Sequence, residues 1–257
     1  ASAERVRARN ASAHVTPVAF DLSDLAAVRA GADELARLEP RWHALVLNAG
    51  VMFLPQRTAT KQGFELTMGV NHLAHFVLVQ RLLPALAAAG TAAAPARVVS
   101  VSSIVHGFSD GSVFLTPRFE DAHYDRALAY GHSKLANVLF AAELDRRYAH
   151  RNISAFSLHP GGIRTNLLRH IDGDEGLYGR FFSVMFAIVE PFLWKTVEQG
   201  AATNVYCTVA RDIVGGHYYE DAHVSYVQGL APAAFFNATL RDIFWRRSLQ
   251  LTKEFIE

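Results

Sequence analysis

Tyr130-Gly-His-Ser-Lys134 sets a phenol and an ammonium four positions apart. On a helix those positions share a face, so the two groups enter the same space. A tyrosine titrates near 10, and bringing it toward 7 takes roughly 4 kcal/mol of preferential stabilisation of the phenolate. One cation about 4 Å away, at an effective dielectric near 20, supplies about that much. The pair is therefore suited to exchanging a proton with an alcohol or a carbonyl. The spacing alone is common on solvated helices, and its company decides the matter. Arg97-Val-Val-Ser-Val-Ser-Ser103 ends an apolar run in hydroxyls, Leu47-Asn48-Ala49-Gly50 ends another in a turn, and His159-Pro160-Gly161-Gly162-Ile163-Arg164-Thr165 ends a third in glycines. Three polar or glycine-rich lips on one edge are where ligands of open α/β sheets bind.

The elements that would hold these residues are legible as alternating β-branched runs and helical stretches. Strands are expected at His14 to Phe20, Ala44 to Leu47, Arg97 to Val101, Ile153 to Leu158 and, weakly, His217 to Tyr219. Ala44 to Leu47 and Arg97 to Val101 show little alternation, as strands covered on both faces do. Helices fit at Asp24 to Leu38 after an N-cap at Ser23, at Asn71 to Ala89, at Arg126 to His150, and at Val197 to Ala210 behind the capping box Thr196-x-x-Gln199. Glu4 to Asn10 reads as the end of a helix. Strands alternating with helices specify a parallel sheet with helices on its faces. Residues 161–195 form an irregular insertion, with glycines at 161, 162, 173, 176 and 179 and aromatics at 178, 181, 182 and 186, of the kind that builds a substrate wall.

Length and composition fit one domain spanning 1–257, since 257 residues with 51% apolar content can bury a large core. A net charge of +1 supplies no broad cationic face, which argues against a nucleic-acid partner. Cys207 is the single cysteine, so neither an intrachain disulfide nor a cysteine metal cage can form. His72 and His75 have no third metal ligand at a coherent spacing, and no metal site is expected. The longest apolar run, Phe181 to Val189, is about half a membrane span. The first residues contain no apolar signal region. The chain begins with Ala rather than Met, so a cytoplasmic location is expected unless residues upstream carry a membrane anchor.

Taken in order and spacing, Asn48-Ala-Gly50, Val70-Asn71-His-Leu-Ala-His-Phe76, Val101-Ser-Ser103, Tyr130-Gly-His-Ser-Lys-Leu-Ala-Asn137 and His159-Pro-Gly161 resemble the short-chain dehydrogenase/reductase family from about Ala13 onward. The 27 positions from Ser103 to Tyr130 and the Tyr-Gly-x-Ser-Lys-Leu-Ala-Asn run are most similar to its retinol-dehydrogenase and WW-domain-oxidoreductase-like branch. The resemblance implies a Rossmann-type, doubly wound α/β fold and a catalytic tetrad of Asn71, Ser103, Tyr130 and Lys134. Tyr130 would move the proton and Ser103 would hydrogen-bond the reacting oxygen. Lys134 would bind the nicotinamide ribose and lower the tyrosine pKa, and Asn71 would hold a backbone bend and a relay water. Cofactor contacts would come from Asp21 and Leu22 at the adenine, from Asn48, Ala49 and Gly50 at its ribose, and from Val70, Tyr130 and Lys134. Pro160, Gly161, Ile163 and Thr165 would close over the nicotinamide. The cofactor would be NADP or NAD, with NADP favoured, and the hydride chemistry would belong to it. The substrate would be a small lipophilic alcohol or carbonyl compound, with peripheral membrane contact and a homodimer as further partners. Ser102 is the lesser candidate beside Ser103. Asn137 shares the face of Tyr130 and Lys134, with a direct role the less favoured reading.

One part of that pattern is missing. No glycine-rich turn of the G-x-x-x-G-x-G or G-x-G-x-x-G kind precedes Asp21. Such a turn brings the backbone to a dinucleotide's pyrophosphate at a helix N-terminus. The expected domain is therefore truncated at its N-terminus, without its first βαβ elements. Strands 1 and 2 of the order 3-2-1-4-5-6 would be absent, leaving exposed edges or forcing a new pairing. Two rivals follow. One is a non-catalytic remnant or interaction protein of the same fold. The other is a serine hydrolase, because Gly107-Phe-Ser109-Asp-Gly111 matches the G-x-S-x-G elbow, although that elbow needs a strand before it and a helix after it.

Overall fold

The computed structural model describes residues 2–109, 124–163, 194–225 and 237–257. Along them run α1 (Ser2–Arg9), α2 (Leu25–Leu38), β1 (Ala44–Leu47) and α3 (Leu66–Met68). A π-helical turn (Gly69–Leu73) leads into α4 (Ala74–Ala89), followed by β2 (Ala96–Val101), a 3-10 turn (Ile104–Phe108) and α5 (Arg126–Tyr148). Next come β3 (Ile153–Leu158), β4 (Gly162–Ile163), β5 (Trp194–Lys195), α6 (Val197–Val209), β6 (Tyr218–Glu220), β7 (His223–Val224) and α7 (Ala238–Ile256).

The main sheet has the order β1-β2-β3-β6-β7, parallel throughout except for β7. Its register places Leu47 beside Ser100, and Val101 beside Leu158, so that β1, β2 and β3 end together. Alternate residues of β2 serve two cores. Ala96 and Val98 pack with α2, α4, α5 and α7, and Val99 and Val101 pack with Phe156, Leu158 and Cys207 of α6. This is a sheet between helical layers, as the alternating pattern requires. Residues 66–89 are apolar and long enough to span a bilayer by composition, but 72% of that window is buried inside the fold, which makes it a core helix.

The sequence places β1 and β3 to the residue, and the capping box of α6 is present, with Gln199 N donating to Thr196 Oγ1 (3.2 Å) and Thr196 N to Gln199 Oε1 (2.9 Å). Elsewhere the structure differs. Residues 14–20 are not a strand: they form no regular element and are joined to α1 by Arg7 Nη2 donating to the Val15 carbonyl (2.6 Å), with no ladder partner among the described residues. A strand exists only through its neighbour, and no neighbour is present, so of the two expected outcomes the structure takes the unpaired one. β1 is accordingly an edge strand rather than a covered one, and Val46 is 41% exposed. The N-cap of α2 is Asp24, whose Oδ1 accepts from Ala26 N (3.0 Å), while Ser23 N is held by Asp21 Oδ1 (2.8 Å). The strand expected at His217 to Tyr219 sits one residue late, at Tyr218–Glu220.

The helix α7 is absent from the sequence reading. Asn237 caps it through Oδ1, which accepts from Thr239 N (3.0 Å) and Leu240 N (3.1 Å), and Phe244, Trp245, Ser248 and Thr252 form its buried face. Trp245 stacks on Phe140 of α5 (centroids 5.9 Å, planes 6° apart) and meets Phe76 of α4 edge-on (5.0 Å). At the rim, the buried Glu143 accepts from Arg146 and Arg147, and Arg147 reaches across to Asp242 (2.6 Å), tying α7 to α5.

Candidate active site

Asn71 lies within the π-helical turn Gly69–Leu73 and is fully buried. Such single turns accommodate an extra residue and recur at functional sites. Its Oδ1 accepts from Val51 N (2.8 Å), and its Nδ2 donates to Val51 O (2.9 Å) and Ser133 Oγ (2.9 Å). One amide thus fixes both the chain after Asn48-Ala-Gly50 and the helix that carries Tyr130. The backbone carbonyl of Asn71 is bonded to His75 Nδ1 (3.0 Å). A carbonyl only accepts, so that nitrogen carries the proton. Gly50 sits against this arrangement: a Cβ there would lie 2.9 Å from Asn71 Oδ1 and 3.8 Å from Lys134 Nζ. A glycine is needed at that position because of Asn71.

α5 begins at an Asp125 cap, whose side chain accepts from Leu128 N (2.8 Å), and carries Tyr130 and Lys134 into the interior. Tyr130 is 5% exposed, and the Ser103 side chain, at the lip of β2, acts on its phenol against the effect of burial. Lys134 Nζ lies 5.5 Å from the Tyr130 ring centroid and donates to the Val101 carbonyl (3.0 Å). Burial pushes the Tyr130 phenol up to about 12, with Ser103 opposing it, and burial lowers the Lys134 ammonium to about 8. Lys134 is not among the groups that shift the phenol here, burial being the largest cause. Desolvation outweighs a cation committed to a backbone oxygen. Ser102 points elsewhere, its hydroxyl donating to the Lys134 carbonyl (2.7 Å), which leaves Ser103 at the phenol.

Two neighbours escaped the sequence reading. Phe53 packs on Tyr130 (centroids 5.4 Å) with Met52, Val105 and Ala127 around them, giving the phenol an apolar wall. Phe53 holds φ 51, a left-handed backbone uncommon for a bulky side chain. Val51-Met52-Phe53-Leu54 directly after Gly50 was the available signal. His106 closes the other side, bonding the Ser103 carbonyl through Nδ1 (2.6 Å) and packing on Tyr218 (4.6 Å).

The remaining sequence candidates divide. Val70 is buried within the π-helical turn, and Asn48 and Ala49 are exposed at the end of β1. Pro160 and Gly161 follow β3, with Gly161 at φ 89 packed against the Lys195 side chain. Ile163 is occupied structurally, lying where a side chain on Gly200 of α6 would be. Asp21 is exposed, its carboxyl held below the ordinary range by hydrogen bonds from Ser23, and Leu22 packs on the main core. Thr165 and most of the 161–195 insertion lie outside the described residues. His72 bonds Ser248 Oγ through Nε2 (3.0 Å). The elbow geometry of a serine hydrolase is not met, because Ser109 follows a 3-10 turn rather than a strand and is buried against His132 Nδ1.

Residues 2–176 match the family model described as short chain dehydrogenase. Retinol dehydrogenase 12 of Homo sapiens is 35% identical over 252 residues, which span 97% of this chain and 73% of that protein. Retinol dehydrogenase 14 of Mus musculus is 40% identical over 227 residues, 88% of this chain and 64% of that one. Among solved structures, an uncharacterized protein from Mycobacterium paratuberculosis superposes with a TM-score of 0.71 at 28% identity, covering 98% of this chain and 81% of its own. RhlG of Pseudomonas aeruginosa, solved as an active-site complex with NADP, has a TM-score of 0.59 at 26% identity, over 78% of this chain and 73% of its own.

Proposed function

The chain belongs to the short-chain dehydrogenase family of oxidoreductases, and from that premise we propose that it interconverts a hydroxyl and a carbonyl on a lipophilic small molecule with NADP or NAD, NADP being favoured. One observation carries the reading. Tyr130, Ser103, Lys134 and Asn71, which lie far apart in sequence, converge at the C-terminal ends of β1 and β2: Lys134 Nζ lies 5.5 Å from the Tyr130 ring and is bonded to Val101, Ser103 acts on the phenol, and Asn71 is bonded to Ser133 beside Lys134. The neighbour named for an NADP complex supports the cofactor. The relatives named for retinol, together with the apolar wall of Met52 and Phe53, support the substrate class.

The residues fit the nicotinamide-ribose end of a dinucleotide. Lys134 has N–H donors beyond the one given to Val101, and the glycine at position 50 keeps the space beside it open. At the other end, residues 14–20 leading to Asp21 have no ladder partner among the described residues. A bound dinucleotide would supply or take up the hydride. In reduction the Tyr130 phenol, protonated at neutral pH, gives its proton to the carbonyl oxygen while Ser103 hydrogen-bonds the same oxygen. In oxidation the phenol must become a base. Lys134 would hold the ribose of the dinucleotide and would place its charge to favour the phenolate. Asn71 keeps the loop at Val51 and the helix at Ser133 in register throughout.

The test is an activity panel of retinoids, steroids and aliphatic aldehydes with both nucleotides. It uses a longer protein that carries a glycine-rich βαβ unit ahead of Ala1. Turnover on at least one lipophilic class is expected. Silence on all of them, with the fold intact, would favour the non-catalytic reading.

A further inference from the structure

The Val101 carbonyl, at the last residue of β2, accepts two hydrogen bonds: Lys134 Nζ at 3.0 Å and Asn137 Nδ2 at 3.0 Å. Both lone pairs of that oxygen are then in use. Asn137 is itself 1% exposed. Its carbonyl oxygen lies near enough to the His72 imidazole to favour the imidazole's charged form, although His72 Nδ1 makes no hydrogen bond of good geometry. His72 is fixed in turn by Ser248 of α7 (3.0 Å). Two buried pairs are therefore bonded, His72 with Ser248 of α7 and Asn137 with the oxygen that holds the ammonium.

We propose that Asn137 is a positioning residue for Lys134, which shares the Val101 carbonyl with the ammonium so that the ammonium can exchange that bond for a ligand hydroxyl without orphaning a buried acceptor. The inference rests on reading Lys134 as the ribose-binding lysine. A buried carbonyl left without a donor costs about 1–3 kcal/mol. With Asn137 in place that cost does not arise when Lys134 turns away. The amide also competes for the oxygen and points the positive end of its N–H dipole toward the ammonium. Removing it gives the whole acceptor to Lys134 and favours the charged form. The other titratable groups facing Lys134 are Tyr130 on the same helix, His75 on α4 and His159 after β3. None of these changes when Asn137 is replaced.

The chain has four lysines, at 61, 134, 195 and 253, so labelling their ε-carbons with carbon-13 gives a spectrum in which Lys134 is assigned by its loss in Lys134→Met. Titrating this polypeptide and its Asn137→Leu variant reads the lysine directly, without cofactor or activity. An upward move of the Lys134 midpoint by about half a pH unit or more is expected, against unmoved midpoints for the other three. An unchanged or lowered Lys134 midpoint, in a variant with wild-type circular dichroism, overturns the proposal. If the leucine variant fails to fold, Asn137→Ser removes the same donor with a smaller change. In the longer protein, Asn137→Leu should raise the nucleotide KM about fivefold or more while kcat is largely kept, since an orphaned carbonyl costs about that much; a loss confined to kcat would overturn the proposal. A shifted lysine in a protein with no dehydrogenase activity would sink the proposed function and leave the role of Asn137 standing.

Discussion

The two ends of the proposed cofactor cleft are built differently. At one end the reactive side chains are held in the interior: Asn71 is bonded to Val51 and Ser133, Lys134 to Val101, and Tyr130 is packed on Phe53. At the other end, residues 14–20 run unpaired into an exposed Asp21, whose carboxylate serves only its own turn, and Asn48 and Ala49 face solvent beside the open edge of β1. The first region is held by helices and strands that neighbour one another in this chain. The second has no ladder partner among the described residues. Identical motif quality in sequence therefore yields a positioned site in one place and a bare stretch in the other.

The contrast can be tested by substitutions on each side. The largest effect is expected for Tyr130→Phe in the longer protein. Removing a general acid costs on the order of 100- to 10,000-fold in kcat, with nucleotide affinity changed less than about threefold because only the proton donor is gone. Stopped-flow turnover beside a binding titration separates the two. A variant keeping more than about a tenth of wild-type kcat, a barrier change under about 1.4 kcal/mol, would show that Tyr130 is not the acid.

Next in size is Asn71→Leu, which takes from the part-buried N–H and C=O of Val51 the bonds that Asn71 makes to them. A loss of about 2 to 4 kcal/mol is expected in urea unfolding of the 257-residue chain. A loss below about 1 kcal/mol would mean that the amide does not fasten the two elements.

The third effect is acid sensitivity. Burial lowers His72 to about 3, and His75 and His159 to about 4. The unfolded chain takes up protons below about 6.5 that the folded chain refuses. Stability contributed by these groups is thus complete above that pH and is lost as pH falls toward 4. Each removes up to about 1.4 kcal/mol per pH unit in that window. Urea midpoints at pH 7 and 5 should differ markedly, and a triple variant with apolar residues at the three positions should flatten the difference. Equal slopes would place the acid sensitivity elsewhere. The smallest effect belongs to Asp21→Asn, which should leave the urea midpoint of this chain unmoved. A clear shift would show that the open end is more firmly built than its bonds suggest.

How much of this was legible in the sequence follows the range of the interactions. β1 and β3 were readable because an apolar β-branched run bounded by polar residues is a local signal. The Tyr130/Lys134 helix and the Thr196 box were readable for the same reason. Residues 14–20 carry that signal equally well, yet a ladder is a non-local event, and the local pattern cannot say whether a partner arrives. The π-helical turn at Asn71 and the shared Val101 carbonyl left no trace, since backbone acceptors have no residue type. α7 could have been found: Asn237 followed by Phe244, Trp245, Ser248 and Thr252 on one face is an ordinary capped amphipathic pattern. Phe53 becomes significant only when its left-handed backbone and its contact with Tyr130 are seen together.

The central claim is that this polypeptide positions the reactive end of a dinucleotide site without gripping its phosphates. Isothermal titration with NADPH tests it, on the 257-residue chain beside the longer protein with a glycine-rich βαβ unit. The longer protein should bind in the micromolar range. This chain should bind at least about 100-fold more weakly, the loss of two charge-assisted hydrogen bonds at about 1.5 kcal/mol each. Equal micromolar affinity in the two would contradict the account, because it would place a working phosphate site among the residues of this chain.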